Sequence, residues 1–270
     1  MAASPGSQRP ACQDADQADA RSAAHGAASA TAPTTALPAA GGFLGVLMLD
    51  TRFPRPVGDI GNPATFDFPL RHAVVAGASP QRVVRERDGS LLQPFIDAGR
   101  ALVAQGARAI TTSCGFLVLF QRELAQALPV PVWTSSLLLV PGLQAGLPAG
   151  RRVGVITIDA ASLGADHLQA AGADPSTPIE GVAPSCSLQR SLLGNVATLD
   201  EAQAAHDVVA AGLSLLARCP DVAALVLECT NMPPYAAALR RATGLPVHDI
   251  TTLLGERWRR LVHASDGAPA

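Results

Sequence analysis

Lysine is missing altogether from this 270-residue chain: all 20 basic residues are arginine. That absence excludes two large enzyme classes. A pyridoxal-phosphate enzyme needs a lysine for its Schiff base, and a P-loop needs one on its phosphates. Aromatic residues are scarce at 4%, and charged residues make up only 16%, with a net charge of −2. No basic run is present, which argues against nucleic acid as a partner. No apolar run approaches the ~18 residues of a membrane helix, so no membrane partner is expected. Zinc-type spacing is also missing: there is no CxxC pair and no Cys/His cluster, and no metal is expected. The five cysteines (Cys12, Cys114, Cys186, Cys219 and Cys229) are odd in number and widely spaced. With no secretory signal, that pattern predicts free thiols in a reducing cytoplasm rather than a disulfide framework.

What is present begins at Gly42. Residues 1–40 are mostly Ala, Ser, Thr, Pro, Gly and Gln. Such a segment buries too little surface to offset its ordering entropy, and it is predicted to be a disordered tail carrying Cys12. From there strands and helices alternate. "FLGVLMLD" (Phe43 to Asp50) is a short apolar run ending on an aspartate, as a strand buried on both faces does. A Pro/Gly-rich loop spans Thr51 to Pro69. Helical spacing follows at Leu91 to Gly106, a strand at Ala107 to Cys114, a helix at Phe116 to Leu128 and a strand at Val130 to Ser136. The order then restarts with a strand at Arg151 to Asp159, helices at Ala161 to Ala171 and Leu199 to Ala217, and a strand at Val222 to Asn231. A helix at Pro233 to Gly244, a strand at Leu245 to Thr251 and a last helix complete the chain. This alternation implies an α/β fold of βαβ units with parallel sheets.

The restart extends to local sequence. "GVLMLD" at Gly45 to Asp50 matches "GVITID" at Gly154 to Asp159, and "ITTSCG" matches "VLECTN". The chain therefore reads as two pseudo-symmetric parallel-sheet α/β lobes. The first covers 41–150 and is completed by a C-terminal helix at 252–264; the second covers 151–251. Ligands of open α/β sheets sit beyond the carboxyl ends of the strands. Facing lobes would put Asp50, Cys114, Asp159 and Cys229 around one cleft, where the active site is expected.

Two opposed thiols suit removal of a proton from one face of a carbon and delivery of a proton to the other. A thiol starts near a pKa of ~8.5 and falls beside positive charge or a helix N-terminus, which makes its thiolate a usable base. Both Cys114 and Cys229 precede a predicted helix by a few residues, where free N–H groups favour anions. Asp50 at the first strand end could orient the base. Thr112, Ser113, Thr230 and Asn231 could bind a carboxylate, with ordinary turn and cap chemistry as the alternative. Asn62 and Thr65 are possible ligand contacts, and Arg52 could pair with a carboxylate bidentately. Cys186 and Cys219 are expected to be structural. His248 lies near the proposed cleft, whereas His72, His167, His206 and His263 are expected on helix surfaces.

Over roughly Phe43 to Val262 the chain resembles the aspartate/glutamate racemase superfamily. "TTSCGF" stands where that family carries its first catalytic cysteine, and "ECTNMPPY" resembles its second Cys-Thr motif. "GNPATF" (Gly61 to Phe66) resembles the Gly-Pro-x-Ala-Thr loop of the aspartate racemases. The resemblance implies cofactor-independent deprotonation and reprotonation beside the carboxylate of a small molecule, with Cys114 and Cys229 as the acid/base pair, in an enzyme that pairs as a homodimer. The sequence departs from the family at three places. Asn231 stands where glutamate racemases have histidine, Glu228 replaces a glycine, and the loop after Asp50 is longer and carries Arg52 and Arg55. Both cysteines are kept, which disfavours the decarboxylase branch. The expected activity is an isomerase of the racemase or epimerase type. The alternatives are a cis–trans isomerase of an unsaturated dicarboxylate, a non-catalytic carboxylate-binding protein, and a hydrolase using Cys229 with His248.

Overall fold

A computed structural model of the chain describes residues 42–266. The tail expected over 1–40, with Cys12, lies outside the described residues. Two four-stranded sheets form, and every strand pairing is parallel. The first is ordered β2-β1-β3-β4, with β1 at Phe43–Leu49, β2 at Leu70–Val75, β3 at Ala107–Thr112 and β4 at Val132–Trp133. The second is ordered β6-β5-β7-β8, with β5 at Arg152–Thr157, β6 at Ile179–Gly181, β7 at Val222–Leu227 and β8 at Val247–His248. Helices α1 (Leu92–Ala104), α2 (Gln121–Ala127) and α3 (Val140–Gly146) belong to the first half. Helices α4 (Ala165–Ala170), α5 (Ser187–Leu193), α6 (Glu201–Arg218) and α7 (Ala236–Thr243) belong to the second, and α8 (Ile250–Asp266) ends it.

The internal repeat reaches the backbone register. In β1–β3 pairing the register slips by one residue between Phe43 and Leu44, and in β5–β7 pairing it slips at the matching place, between Arg152 and Val153. The "GV" step common to both halves has a packing cause. A Cβ on Gly45 would strike Leu102 of α1 and Ile110 of β3, and one on Gly154 would strike Leu215 of α6 and Val222 of β7. In each lobe the helix preceding the third strand therefore lies directly on the first strand.

Strands β1, β3, β5 and β7 carry the long apolar runs because both faces are covered. Edge strands β2 and β6 have no such signal; β2 alternates between half-buried and exposed residues, and neither strand is evident from the sequence. Strands β4 and β8 are shorter than the sequence pattern suggests, because a cap cuts each off. The Ser135 hydroxyl accepts from Leu137 N at 3.2 Å, and the Asp249 carboxylate accepts from Thr251 N at 2.8 Å and starts α8.

Although α8 follows the second lobe, it packs on the first sheet. Its Ile250, Leu253, Leu254 and Trp258 close a core with Leu44, Val46 and Met48 of β1, Ala109 of β3 and Trp133 of β4. Phe68 stacks on Trp258 with ring centroids 5.2 Å apart. Replacing Trp258 by alanine should cost about 3–5 kcal/mol, the usual range for a buried aromatic. A urea-unfolding shift below about 1 kcal/mol would show that α8 does not complete this core.

Candidate active site

Both thiol turns occur where a buried strand runs out. Beyond β3, Cys114 is extended (φ −151°) and opens a 3-10 turn, Gly115–Phe120. Beyond β7, Cys229 stands before a shorter turn, Pro233–Tyr235. Backbone N–H groups two residues on approach each sulfur: Phe116, with Leu117, at Cys114, and Asn231 at Cys229. The two cysteines line one cavity between the lobes. Its walls are mainly apolar (Leu49, Phe53, Val84, Phe116, Ile158, Leu192), and its ionisable side chains besides the thiols are Arg55 and Glu228.

Direct bonds between the strand ends bring the thiols together. The Thr230 hydroxyl donates to the Ser113 carbonyl at 2.6 Å, and the Ser136 hydroxyl donates to the Leu227 carbonyl at 2.6 Å. Gly115 abuts Glu228 so closely that a Cβ would collide with its carbonyl and carboxylate oxygens. Only glycine allows this approach.

Burial dominates the electrostatics. Desolvation pushes both thiols up, and negative charge on Glu228 adds to this. The N–H groups of Phe116 and Leu117 and the Arg55 guanidinium act in the opposite sense at Cys114. At Cys229 the Asn231 N–H does so, against Cys114 and Asp59. The Cys229 Sγ also lies 3.6 Å from Asn231 Oδ1, in donor geometry. Glu228 is fully buried, with Oε2 accepting from the Thr157 hydroxyl at 2.7 Å and Oε1 without a hydrogen-bond partner. Burial raises its pKa from 4.5 to about 8, so it is neutral at pH 7 and its repulsion of thiolates is felt only above that range.

The sequence pattern does not single out Asp59, yet it organises the loop before β2. It is 1% exposed. Oδ1 accepts from Arg55 Nη1 at 2.8 Å and Gly61 N at 2.7 Å, and Oδ2 accepts from Asn231 Nδ2 at 2.7 Å. Arg55 is further held by Thr51 Oγ1 at 2.7 Å and lies 4.7 Å over the Phe53 ring. The cation of this cavity is therefore Arg55; Arg52 is exposed at the rim, where its N–H donates to Asn195 Oδ1 at 2.6 Å.

Of the other candidate residues, Ser113 and Asn231 line the cavity. Thr112 is occupied with the carbonyls of Cys114 and Thr134, and Thr230 with that of Ser113. Asn62 and Thr65 brace their own loop: Asn62 Nδ2 donates to Arg55 O, and Thr65 Oγ1 donates to Asp59 O. None of these four lines the cavity. Asp50 and Asp159 do not line the cavity either; they link the lobes. The Asp50 carbonyl accepts from Asn195 Nδ2 at 3.3 Å, and Asp159 pairs with Arg85 at 3.3 Å, so each joins the opposite lobe. His167 is fully buried rather than on a helix surface, edge-on to Phe116 at 5.2 Å. His72 lies on β2, with Nε2 3.2 Å from Ile60 O, and is not helical. His248 lines no part of the cavity, which removes the partner needed for a Cys229 hydrolase. Among the described residues, no group of three or more His, Cys, Asp or Glu side chains could hold a metal ion, and no helix is long and apolar enough to cross a membrane.

Two stability tests follow from this geometry. Asp59→Ala should cost about 3–5 kcal/mol, because it strands the Arg55 cation and unpins Asn231; thermal unfolding of the single variant measures it. Glu228 has a raised folded-state pKa, so the unfolded chain gives up this proton first as pH rises. The Tm of the wild type relative to Glu228→Gln should therefore be highest below about pH 4.5 and fall steadily towards pH 8. A difference independent of pH would mean that Glu228 is ionised in the folded state.

No family model matches the chain. It is 30% identical over 212 residues to a dimethylsulfoniopropionate lyase of Durusdinium sp. clade D, a match covering 76% of this chain and 70% of that one. It is 31% identical over 220 residues to dimethylsulfoniopropionate lyase 7 of Emiliania huxleyi (strain CCMP1516), covering 77% of this chain and 64% of that one. Part of each relative's length thus lies outside the match. Among solved structures, unliganded arylmalonate decarboxylase superposes with a TM-score of 0.55 at 18% identity, covering 85% of this chain and 95% of that one. Glutamate racemase from Francisella tularensis subsp. tularensis SCHU S4, in complex with D-glutamate, superposes with a TM-score of 0.52 at 13% identity, covering 84% and 82%. With two parallel sheets meeting at a pair of cysteine turns, the chain belongs to the dimethylsulfoniopropionate lyase family and has the fold of the aspartate/glutamate racemase superfamily.

Proposed function

We propose that the chain is a lyase that eliminates a neutral sulfide from a 3-sulfoniopropionate, with dimethylsulfoniopropionate as the first substrate to test. The observation that carries this reading is one mainly apolar cavity holding both thiols and a fixed arginine, in a chain whose relatives bear that activity in their names. The substrate has a carboxylate at one end and a sulfonium cation at the other. Arg55 is the group for the carboxylate, being preset by Asp59 and Thr51. The sulfonium methyls suit the apolar wall, which includes Phe53 and Phe116.

Cys114 is the base in this reading. Two N–H groups and Arg55 favour its thiolate, whereas Cys229 has a single N–H group and faces Asp59. In the empty cavity both thiols hold their protons. A sulfonium entering this low-dielectric space lowers the thiol pKa by charge attraction, so the substrate itself helps to generate the base. The Cys114 thiolate takes a proton from the carbon next to the carboxylate. That C–H electron pair becomes the new C=C bond, the C–S bond to the sulfonium breaks, and dimethyl sulfide departs with its electron pair. Acrylate remains and Cys114 is again a thiol, its resting state; the one proton released per turnover is the thiol proton that left for solvent when the substrate entered. Cys229 stays a thiol, held by Asn231 Oδ1, and closes the opposite side.

A racemase reading keeps one specific support. A second thiol opposite the base is not needed for elimination, but it is needed to return a proton to the other face. Headspace chromatography of dimethyl sulfide separates the two. The wild type should release it; Cys114→Ala should lower kcat by at least ~10³-fold, and Cys229→Ala by ~10–100-fold. Exchange of an α-hydrogen in deuterated water with loss of chirality, and no sulfide release, would favour the racemase.

A further inference from the structure

One buried group in the cavity is unused by the steps above. Among the described residues, the buried side-chain oxygen and nitrogen atoms without a hydrogen-bond partner are Glu123 Oε2, His167 Nε2, Tyr235 OH and Glu228 Oε1. Of these residues only Glu228 lines the cavity shared by the two thiols. Its neighbours in the seam are all satisfied: Thr157, Thr230 and Ser136 each donate to a named oxygen. Native proteins rarely leave a fully buried oxygen without a partner unless a ligand or function supplies one.

Thr157 also decides which carboxyl oxygen is available. Its hydroxyl donates to Oε2, so in the neutral acid Oε1 is the oxygen left to carry a donatable hydrogen. Gly115 leaves the room for it, since any Cβ there would collide with Oε1. Glu228, Cys114 and Cys229 line the same cavity, and the charge of Glu228 is felt at both thiols.

We propose that Glu228 is a further catalytic residue, whose Oε1–H donates a hydrogen bond to the substrate carboxylate and stabilises the charge that reaches it as the α-proton leaves. This rests on the elimination reading given above. While Cys114 takes the proton, negative charge spreads from the α-carbon onto the carboxylate oxygens before the C–S bond breaks. A neutral donor fixed in a dry site stabilises that charge without reorganising. Glu228 keeps its own proton throughout, and no atom is transferred to or from it. An ionised Glu228 would repel the same carboxylate and hold both thiols protonated, so the carboxyl acts only below its own titration near pH 8.

The test uses the full chain with dimethylsulfoniopropionate from pH 6 to 9.5, and the variants Glu228→Leu and Glu228→Gln. Loss of the donor in Glu228→Leu should lower kcat/KM by ~100-fold. Glu228→Gln, which can turn its carbonyl to Thr157 and an N–H to the cavity, should return to within about tenfold of the wild type. It should also lack the decline that Glu228 ionisation imposes on the wild type above about pH 8. Iodoacetamide provides a readout without substrate: above pH 8 the thiols of Glu228→Gln should alkylate faster than those of the wild type. If Glu228→Gln is folded but as slow as Glu228→Leu, or keeps the wild-type alkaline decline, the role of Glu228 is overturned while the elimination stands. If the wild type releases no dimethyl sulfide, the elimination reading falls, and this role with it.

Discussion

The hydroxyl of Thr230 donating to the carbonyl of Ser113 joins the ends of the two central strands, and the site is built on that contact. Each sheet alone would place one cysteine beyond the carboxyl end of one strand. The bond, with its counterpart from Ser136 to Leu227, sets the two strand ends against each other in the protein interior. Two consequences follow. The cysteines share a cavity instead of occupying two separate crevices. The backbones come so close that residue 115 has no room for a side chain. A buried hydroxyl-to-carbonyl bond is directional, so it fixes the orientation of the lobes as apolar packing alone would not.

The cavity that results is poor in charge. Burial holds the thiols and Glu228 neutral, and the positive charge of Arg55 is balanced by Asp59. A site of this kind has little electrostatic screening, so a charged ligand dominates its potential on entry. In the proposed elimination that ligand carries both signs, the carboxylate towards Arg55 and the sulfonium towards the sulfur atoms. In that reading the thiols, poor bases in the empty cavity, become better ones when it is filled. This ties deprotonation to substrate occupancy, which limits oxidation or alkylation of an idle thiolate.

Decarboxylation, racemisation and elimination differ in which bond breaks, yet each builds negative charge on a carbon next to a carboxylate. Under the proposed elimination, that demand is what this chain would share with the decarboxylase and the racemase whose fold it has. Glu228 stands where the racemase pattern has glycine, and Asn231 where it has histidine; both side chains line the cavity, and Asn231 is held by Asp59.

The sequence alone determined the layout of the fold and the positions of the thiols. Continuous apolar runs in β1, β3, β5 and β7 announce strands buried on both faces, and the repeated "GV" and strand-end cysteine announce a duplication, because burial and close helix packing act on residues local in sequence. Edge strands β2 and β6 left no such trace, since one side of each is open to solvent and composition there is unconstrained. Tertiary structure alone decided what the polar residues do. Thr112 and Thr230 look like ligand groups in the sequence but are consumed by carbonyls brought from elsewhere in the chain, and Arg55 rather than Arg52 faces the cavity because Asp59 and Thr51 hold it there. Hydrogen bonds between residues as far apart as Asp59 and Asn231 depend on the packing of whole lobes, and no local pattern encodes them.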